Sequence, residues 1–199
     1  MKTLHQFPSE EQAIKALIEA ELKGHEERLM TLFIQQGPEA LRTILKVPND
    51  FIWAIVFDHL VFNLDVLKRC IDLFFPFFKD YVIKNGPLAL RELFGIQDAR
   101  YDEIFEKLLD DMVIARGLLF EHIDAHINQY LNLISENNLQ QGIGLGARLR
   151  ANLGLGDKKY DPLWKEVMDF ILDAFTRQHL KLEQKKKTKT LLNFLQSLF

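Results

Sequence analysis

Two histidines four residues apart have the spacing of a metal site. His122 and His126 would share one face of a helix, as the zinc-binding histidines of H-E-x-x-H enzymes do. Ile123 stands where that motif has its general-base glutamate, and the sequence marks no third ligand. Because a zinc site takes three or four protein ligands, we predict ordinary helix histidines, with no metal and no cofactor.

A glycine-rich run from Gly142 to Arg148 has the composition of a phosphate-binding loop, because glycines let backbone N–H groups approach an anion. The run lacks the G-x-G-x-x-G spacing and the Lys-Ser/Thr pair of nucleotide-binding loops, and no strand pattern precedes it. We therefore interpret it as a flexible connector between helices.

The remaining candidates for catalysis are a pair of carboxylates and one thiol. Asp110 and Asp111 are adjacent, and neighbouring residues of a helix point about 100° apart, so these carboxylates would not converge as a general acid and base. No nucleophile motif surrounds Cys70 or any serine. We assign no catalytic residue, and an enzyme with a site assembled from distant residues stays open as an alternative.

The C-terminal tail is the strongest candidate for binding. Lys181 to Lys189 contains five lysines and one glutamate, a net charge of +4, so the rest of this −3 chain carries −7. The last ten residues then place apolar side chains at helical spacing. The candidate partner-binding residues are Lys185, Lys186, Lys187, Lys189, Leu191, Leu192, Phe194, Leu195, Leu198 and Phe199.

Two interpretations of this tail stay open. A basic stretch joined to an apolar helical stripe is typical of an element that binds a partner or a membrane surface. A helix this short is marginal in water, so its apolar stripe must be buried against something. We expect the stripe to dock on the chain's own last helical unit, because stacked repeats need capped ends. Docking on a partner or on lipid is the alternative.

Length and composition describe the scaffold that would carry these residues. A chain of 199 residues that is 48% hydrophobic, with 16 phenylalanines, can fill a core without disulfides or metals. The single cysteine indicates a reducing, cytoplasmic compartment. The net charge of −3 gives no indication of the basic surface that nucleic-acid-binding proteins carry. The longest purely apolar run, Phe51 to Phe57, is far shorter than the roughly 20 residues of a membrane span.

Three stretches of the chain share one pattern and predict an internal repeat. They begin at Asp50, Asp102 and Asp161, and each has an aromatic residue three positions later. Apolar residues follow at positions six, seven, ten and eleven, with a second Asp at position eight. Because this spacing follows the period of an α-helix, we predict three long helices. The first Asp of each should be its N-cap, and the second should face water.

Shared residues also precede each predicted long helix. Arg42, Arg91 and Arg150 occupy matching positions, and Gly95 to Asp102 matches Gly154 to Asp161 as Gly-x-x-Asp-x-x-Tyr-Asp. Coincidence among amphipathic helices explains the apolar spacing but not this match. We predict structural roles for the three arginines and for the second Asp of each copy, which are Asp58, Asp110 and Asp169.

The sequence therefore predicts an all-α protein with three copies of a roughly 50–60-residue helical repeat, stacked as a short solenoid or a compact helical bundle, with capping helices at both ends. A single domain would comprise N-terminal capping helices (1–36), repeats at 37–85, 86–141 and 142–182, and the tail (183–199).

The function predicted by default is a non-enzymatic protein–protein interaction, scaffold or regulatory module, because no residue pattern assembles a reaction site. A membrane-surface regulator or secreted effector acting through the Lys-rich tail is the first alternative, and the enzyme named above is the second. We expect a protein partner and no nucleic acid, and the sequence leaves the oligomeric state open.

Overall fold

The regular structure in this computed structural model is helical throughout the described residues, which are 9–137 and 145–196. The α-helices in chain order are α1 Glu10–Leu22, α2 Glu26–Gln36, α3 Pro38–Ile44, α4 Asp50–Val61, α5 Leu64–Leu73, α6 Phe75–Asn85, α7 Ala89–Leu93, α8 Asp102–Leu108, α9 Leu118–Ala125, α10 Ile127–Asn137, α11 Leu145–Asn152 and α12 Asp161–Gln196. Short 3₁₀ turns, Ala99–Tyr101 and Lys158–Tyr160, precede α8 and α12. The prediction of an all-α fold is confirmed.

The chain forms two compact units, residues 1–116 and 117–199. The first unit contains α1 to α8, and the second contains α9 to α12. The division lies inside the predicted second repeat, at Gly117, whose positive φ of 73° precedes α9. A residue with a side chain adopts this backbone conformation at a cost, so glycine is suited to the position.

Aromatic side chains form the centre of the first unit. The ring of Phe33 on α2 stacks on Phe94, which follows α7, with 6.1 Å between centroids. The ring centroid of Phe57 on α4 lies 5.8 Å from that of Phe33, and the ring centroid of Phe78 on α6 lies 6.4 Å from that of Phe94. All four rings are buried, so three helices and the residue that follows α7 converge on one aromatic cluster.

The second unit has a smaller aliphatic core. Its buried apolar residues are Leu118, Leu119 and Ile123 on α9, Leu131 on α10, Leu149 on α11, Leu153 and Leu155 after α11, and Tyr160, Val167 and Ile171 at the start of and along α12. Phe120 and Phe170 add an edge-to-face contact with 5.6 Å between ring centroids. In this unit α12 packs mainly against α10.

The three arginines predicted to have structural roles each close the loop before a long helix. Each guanidinium donates to the carbonyl five residues later and to the Asp that begins the helix. The pairs are Arg42 with Val47 (3.0 Å) and Asp50 (2.5 Å), Arg91 with Ile96 (3.2 Å) and Asp102 (2.7 Å), and Arg150 with Leu155 (2.5 Å) and Asp161 (2.6 Å).

These ion pairs correct the predicted helix caps. Asp50 and Asp102 are the first residues of their helices and not the N-caps. At α4 the cap is Asn49, whose side-chain oxygen accepts from the N–H of Ile52 at 3.0 Å. The prediction was wrong because the carboxylates of these aspartates bind arginine and do not bind free backbone N–H groups.

The Gly-x-x-Asp-x-x-Tyr-Asp motif forms the same local structure in both places where it occurs. Asp98 and Asp157 each cap a 3₁₀ turn, accepting from the backbone N–H two residues later at 2.9 Å and 2.7 Å. The motif begins in both cases with a glycine of positive φ, 66° at position 95 and 75° at position 154. The tyrosines that follow, Tyr101 and Tyr160, are both buried.

Candidate functional site

Helix α12 runs without a break for 36 residues, from Asp161 to Gln196. No glycine or proline follows Pro162 within it, so nothing in the sequence ends the helix earlier. At 1.5 Å per residue it is about 54 Å long. The predicted boundary between the third repeat and the tail, at 182/183, lies inside this helix.

The predicted tail residues divide between this helix and the end of the chain. The backbone of Lys185, Lys186, Lys187, Lys189, Leu191, Leu192, Phe194 and Leu195 belongs to α12, and their side chains lie outside the described part of the structure. Leu198 and Phe199 lie outside the described residues altogether. The expectation that the apolar stripe docks on the chain's own last unit, and the alternative that these residues bind a partner, therefore both stay predictions.

Within the described side chains of α12, which extend to Leu180, the buried residues lie near its start. Val167 and Ile171 are fully buried. Beyond them Leu172 is 48% exposed and Leu180 is 59% exposed. The neighbour α10 has only 11 residues and spans about 16 Å, so it can cover less than a third of α12. Helix α10 alone therefore cannot cover the whole length of α12.

The corresponding apolar positions of the other two long helices are better covered. In α8 and the π-helical segment that follows it, Leu109–Ile114, these five apolar positions and the apolar residue two positions after the first Asp are all buried: Ile104, Phe105, Leu108, Leu109, Met112 and Val113. In α4 four of the six are buried: Val56, Phe57, Leu60 and Val61. In α12 only Val167 and Ile171 are buried. The apolar face of α12 is therefore incompletely covered.

An open cleft of about 490 Å³ lies in the first unit, between α4 and the loop that leads to α8. We call it the Trp53 cleft. Its lining residues are Pro38, Glu39, Trp53, Ala54, Phe57, Glu92, Gly95, Gln97, Asp98, Arg100 and Tyr101. The volume is in the range of clefts that accept ligands or partner side chains.

Glycine at position 95 permits the close approach that shapes one wall of the Trp53 cleft. A Cβ atom there would lie 3.1 Å from the Pro38 side chain and 3.5 Å from the ring of Phe57. The positive φ of 66° adds a second reason for glycine. The loop can therefore pack directly on α3 and α4.

The charge around the Trp53 cleft is predominantly negative. Glu39, Glu92 and Asp98 are exposed carboxylates, and Asp98 also caps a turn. Arg100 is the one basic residue of the lining, and its guanidinium lies 3.3 Å from the carboxylate of Asp58. Its charge is thus offset locally, so the cleft joins an aromatic wall to uncompensated acidic groups.

Behind this wall lies a hydrogen bond that sequence reasoning missed. The hydroxyl of Tyr101 donates to Asp58 at 2.6 Å, and the guanidinium of Arg100 donates to the same hydroxyl. Burial, then the hydrogen bond and charge of Asp58, raise the pKa of Tyr101, so the phenol stays a proton donor. Asp58 was predicted to face water. The available signal was that the Tyr of the Gly-x-x-Asp-x-x-Tyr-Asp motif and the second Asp of each predicted long helix both recur in the sequence.

The two histidines belong to a hydrogen-bonded cluster in the second unit. His122 is buried, and its Nε2 lies 2.9 Å from the hydroxyl of Tyr130. The rings of His122 and His126 are 4.8 Å apart between centroids. Among the residues that the structure describes, no group of three or more His, Cys, Asp or Glu could hold a metal ion. The cluster contributes to packing.

Alkaline pH should weaken the second unit through Tyr130. Burial raises the pKa of Tyr130 from 10.0 to about 12. Between these values the unfolded chain loses the phenolic proton while the folded chain keeps it, so this group's stabilisation is complete below pH 10 and is lost as pH rises towards 12. Urea unfolding from pH 9 to pH 12 should show a steeper fall for the wild type than for Tyr130→Phe. Parallel pH profiles would contradict this expectation.

The other candidates for chemistry have ordinary surroundings. Asp111 pairs with Lys68, and Cys70 is buried, which raises the pKa of its thiol. In the glycine-rich run, residues 142–144 lie outside the described residues, and Gly146 to Arg148 belong to α11. Of the helices in the described part of the chain, none is long and apolar enough to cross a membrane.

Comparison with known proteins adds no further residue to these surfaces. No protein-family model matches the chain. No curated protein and no solved structure shows significant similarity to it. The incompletely covered part of α12 and the Trp53 cleft are therefore the surfaces from which a function can be argued.

Proposed function

We propose that this chain is a non-enzymatic protein–protein interaction or scaffold module, built from three copies of a helical repeat. Its last long helix, α12, is the docking element. The observation that carries the proposal is that α12 continues to Gln196 although the last buried residue along its described part is Ile171.

Local geometry supports the three-copy repeat. The same guanidinium pairing, to the carbonyl five residues later and to the Asp that begins a long helix, occurs at Arg42, Arg91 and Arg150. Such a pairing satisfies carbonyls that a loop would otherwise leave to solvent, and it fixes where the next helix begins. Three independent occurrences at sequence-matched positions favour a duplicated unit over coincidence.

Two physical arguments support docking by α12. An amphipathic helix is stabilised mostly by burying its apolar face, so a part without packing partners gains stability when a partner covers it. Leu172 and Leu180 are exposed apolar residues on the part of α12 for which no cover is described. A helix that places such residues in a partner's groove is a common mode of recognition.

Binding to an anionic membrane is less well supported. Exposed carboxylates at Glu166, Asp169 and Asp173 lie along the first half of α12. Anionic lipid headgroups attract basic residues and repel these carboxylates. The lysines from 181 to 189 would favour lipid, so the two halves of the helix make opposed contributions. A protein surface can accommodate such a mixed charge pattern.

Removal of residues 181–199 tests the proposed function. The truncated chain should keep its unfolding midpoint within about 2 °C, because residues 176–178 and Leu180 are already exposed. Its capture of partner proteins from an extract of the native cell should be lost. Circular dichroism measures the midpoint, and affinity capture with identification of the bound proteins measures the binding.

A full-length variant shows how much of the binding depends on the positive charge of the helix and how much on the presence of the segment itself. Lys185→Gln with Lys186→Gln, Lys187→Gln and Lys189→Gln keeps the helix but removes four charges, and it should weaken capture without abolishing it. A fall of 5 °C or more on truncation would instead show docking on the chain's own core. Co-sedimentation of the full chain with phosphatidylserine vesicles, lost on truncation, would favour the membrane alternative.

A further inference from the structure

We infer that the Trp53 cleft binds an extended organic cation, an aliphatic amine that carries two or more ammonium groups. The residues that line the cleft all belong to the first unit. The site is separate from the docking face proposed on α12, so it goes beyond the proposed function. A cleft of about 490 Å³ is large enough to take up most of the surface of a small amine.

The lining of the cleft carries more negative than positive charge. Glu39, Glu92 and Asp98 are exposed carboxylates, and neither glutamate has an ion-pair partner within the described part of the chain. Among the described lining residues Arg100 is the one base, and its guanidinium lies 3.3 Å from the carboxylate of Asp58. Because this arginine already has a counter-ion, the cleft should attract more than one further positive charge.

The three carboxylates do not converge on one point. Glu39 lies on α3, Glu92 on α7, and Asp98 directly before the 3₁₀ turn. Among the described residues, no group of three or more His, Cys, Asp or Glu could hold a metal ion. A metal ion needs several oxygen atoms within about 2.0–2.6 Å, whereas an extended amine meets separated carboxylates with separate ammonium groups. The arrangement therefore favours the amine over a metal ion.

The apolar wall of the cleft suits the methylene groups of such an amine. Trp53 is half-buried there, with its ring centroid 5.9 Å from that of the buried Phe57, and Pro38 and Ala54 are half-buried beside them. An ammonium group is attracted to the face of an indole ring, and its alkyl chain covers apolar surface. The Cζ atom of Arg42, which does not line the cleft, lies 6.0 Å from the Trp53 centroid, so this ring already has one cationic neighbour.

Sequence-matched positions show which lining residues the local fold requires. Asp98 belongs to the Gly-x-x-Asp-x-x-Tyr-Asp motif, which forms the same capped turn at both of its occurrences, so the turn explains this residue. The glutamates differ. Leu88 stands at the position that matches Glu39, and Ala151 at the position that matches Glu92. Helix and turn therefore form without either glutamate, which leaves both carboxylates to serve a ligand.

Titration of the full chain with butane-1,4-diamine tests the site. In a Trp164→Phe background, Trp53 is the single tryptophan and reports from the wall of the cleft. Its emission should change saturably, with a Kd of about 1 mM or below at low ionic strength. Butane-1,4-diol lacks the charges, and MgCl₂ carries two charges on one compact ion. Neither should give a saturable change below about 10 mM.

Two pairs of substitutions locate the binding. Glu39→Gln/Glu92→Gln keeps the size of both side chains and should raise the Kd of the diamine by about tenfold or more, because two charge-assisted contacts are lost. The matched control Glu21→Gln/Asp80→Gln removes two exposed carboxylates on α1 and α6 and should leave the Kd within about twofold. Circular dichroism establishes that each variant folds. If the cleft variant does not fold, Glu92→Gln alone should raise the Kd by about threefold.

Four results overturn the inference. They are no saturable response to the diamine below about 10 mM, a response to MgCl₂ equal to that to the diamine, equal losses of affinity in the two double variants, and binding only by a chain that lacks residues 181–199. The last would show that the chain's own tail occupies the cleft. The inference expects the truncated and full chains to bind the diamine equally. The proposed function is tested separately, by capture of a partner protein through α12.

Discussion

Replacement of Phe105 by alanine is expected to lower the free energy of unfolding by about 3–5 kcal/mol, the usual cost of removing a buried aromatic ring. Phe105 is 3% exposed, and the guanidinium of Arg91 lies over its ring at 4.2 Å from the centroid. The truncation therefore leaves a cavity and removes the surface that positions an arginine. Urea unfolding followed by circular dichroism measures the loss.

The other two long helices provide matched controls for this substitution. Trp53 and Trp164 occupy the sequence-matched positions, but both are only half-buried. Trp53→Ala and Trp164→Ala should each cost less than Phe105→Ala, although tryptophan is the larger residue, because part of each ring already contacts solvent. An equal or larger loss at Trp164 would show that the face of α12 around it is packed, contrary to the structural account.

Replacement of Asp58 by alanine is expected to cost about 2–3 kcal/mol. The hydroxyl of Tyr101, which is 2% exposed, would lose its acceptor, and a buried donor without a partner costs about 1–3 kcal/mol. The ion pair of Arg100 with Asp58 would be lost as well, which adds at most about 1 kcal/mol because the arginine is half-exposed.

Substitution of Tyr101, the donor in this hydrogen bond, should have a smaller effect on the free energy of unfolding. In Tyr101→Phe the ring keeps its contact with Phe57 at 5.6 Å, and the carboxylate of Asp58 keeps Arg100 and some solvent. A loss of about 1 kcal/mol is therefore expected, the net value of one hydrogen bond. Urea unfolding of both variants compares the two. A larger loss for Tyr101→Phe than for Asp58→Ala would contradict this arrangement.

The fold was predictable where the signal is local. Apolar residues at helical spacing identified α4, α8 and α12, because burying one face imposes that period on the sequence. The structural roles of Arg42, Arg91 and Arg150 also followed, since a guanidinium before a repeated Asp has a charged partner close by in the chain. The choice of that Asp as N-cap failed because capping and ion pairing use the same carboxylate.

The candidate site was less predictable because its parts are distant in the chain. The Trp53 cleft joins α3, α4 and the loop from Gly95 to Tyr101, which no periodicity brings together. Periodicity identifies the buried face of a helix but not the element that covers it. The continuous course of α12 could have been predicted, since the sequence after Pro162 lacks both glycine and proline within the helix.

The central claim is our proposal that the end of α12, from Arg177 to Gln196, is a docking face for a partner protein and does not belong to the core of its own chain. Hydrogen–deuterium exchange of the full chain, measured alone and with a captured partner protein, tests it directly. In the chain alone the amides from Arg177 to Gln196 should exchange nearly as fast as in an isolated helix, while those from Val167 to Ile171 stay protected. Protection of Arg177 to Gln196 should then rise when the partner is added. Equal protection along the whole of α12 in the chain alone would contradict the claim.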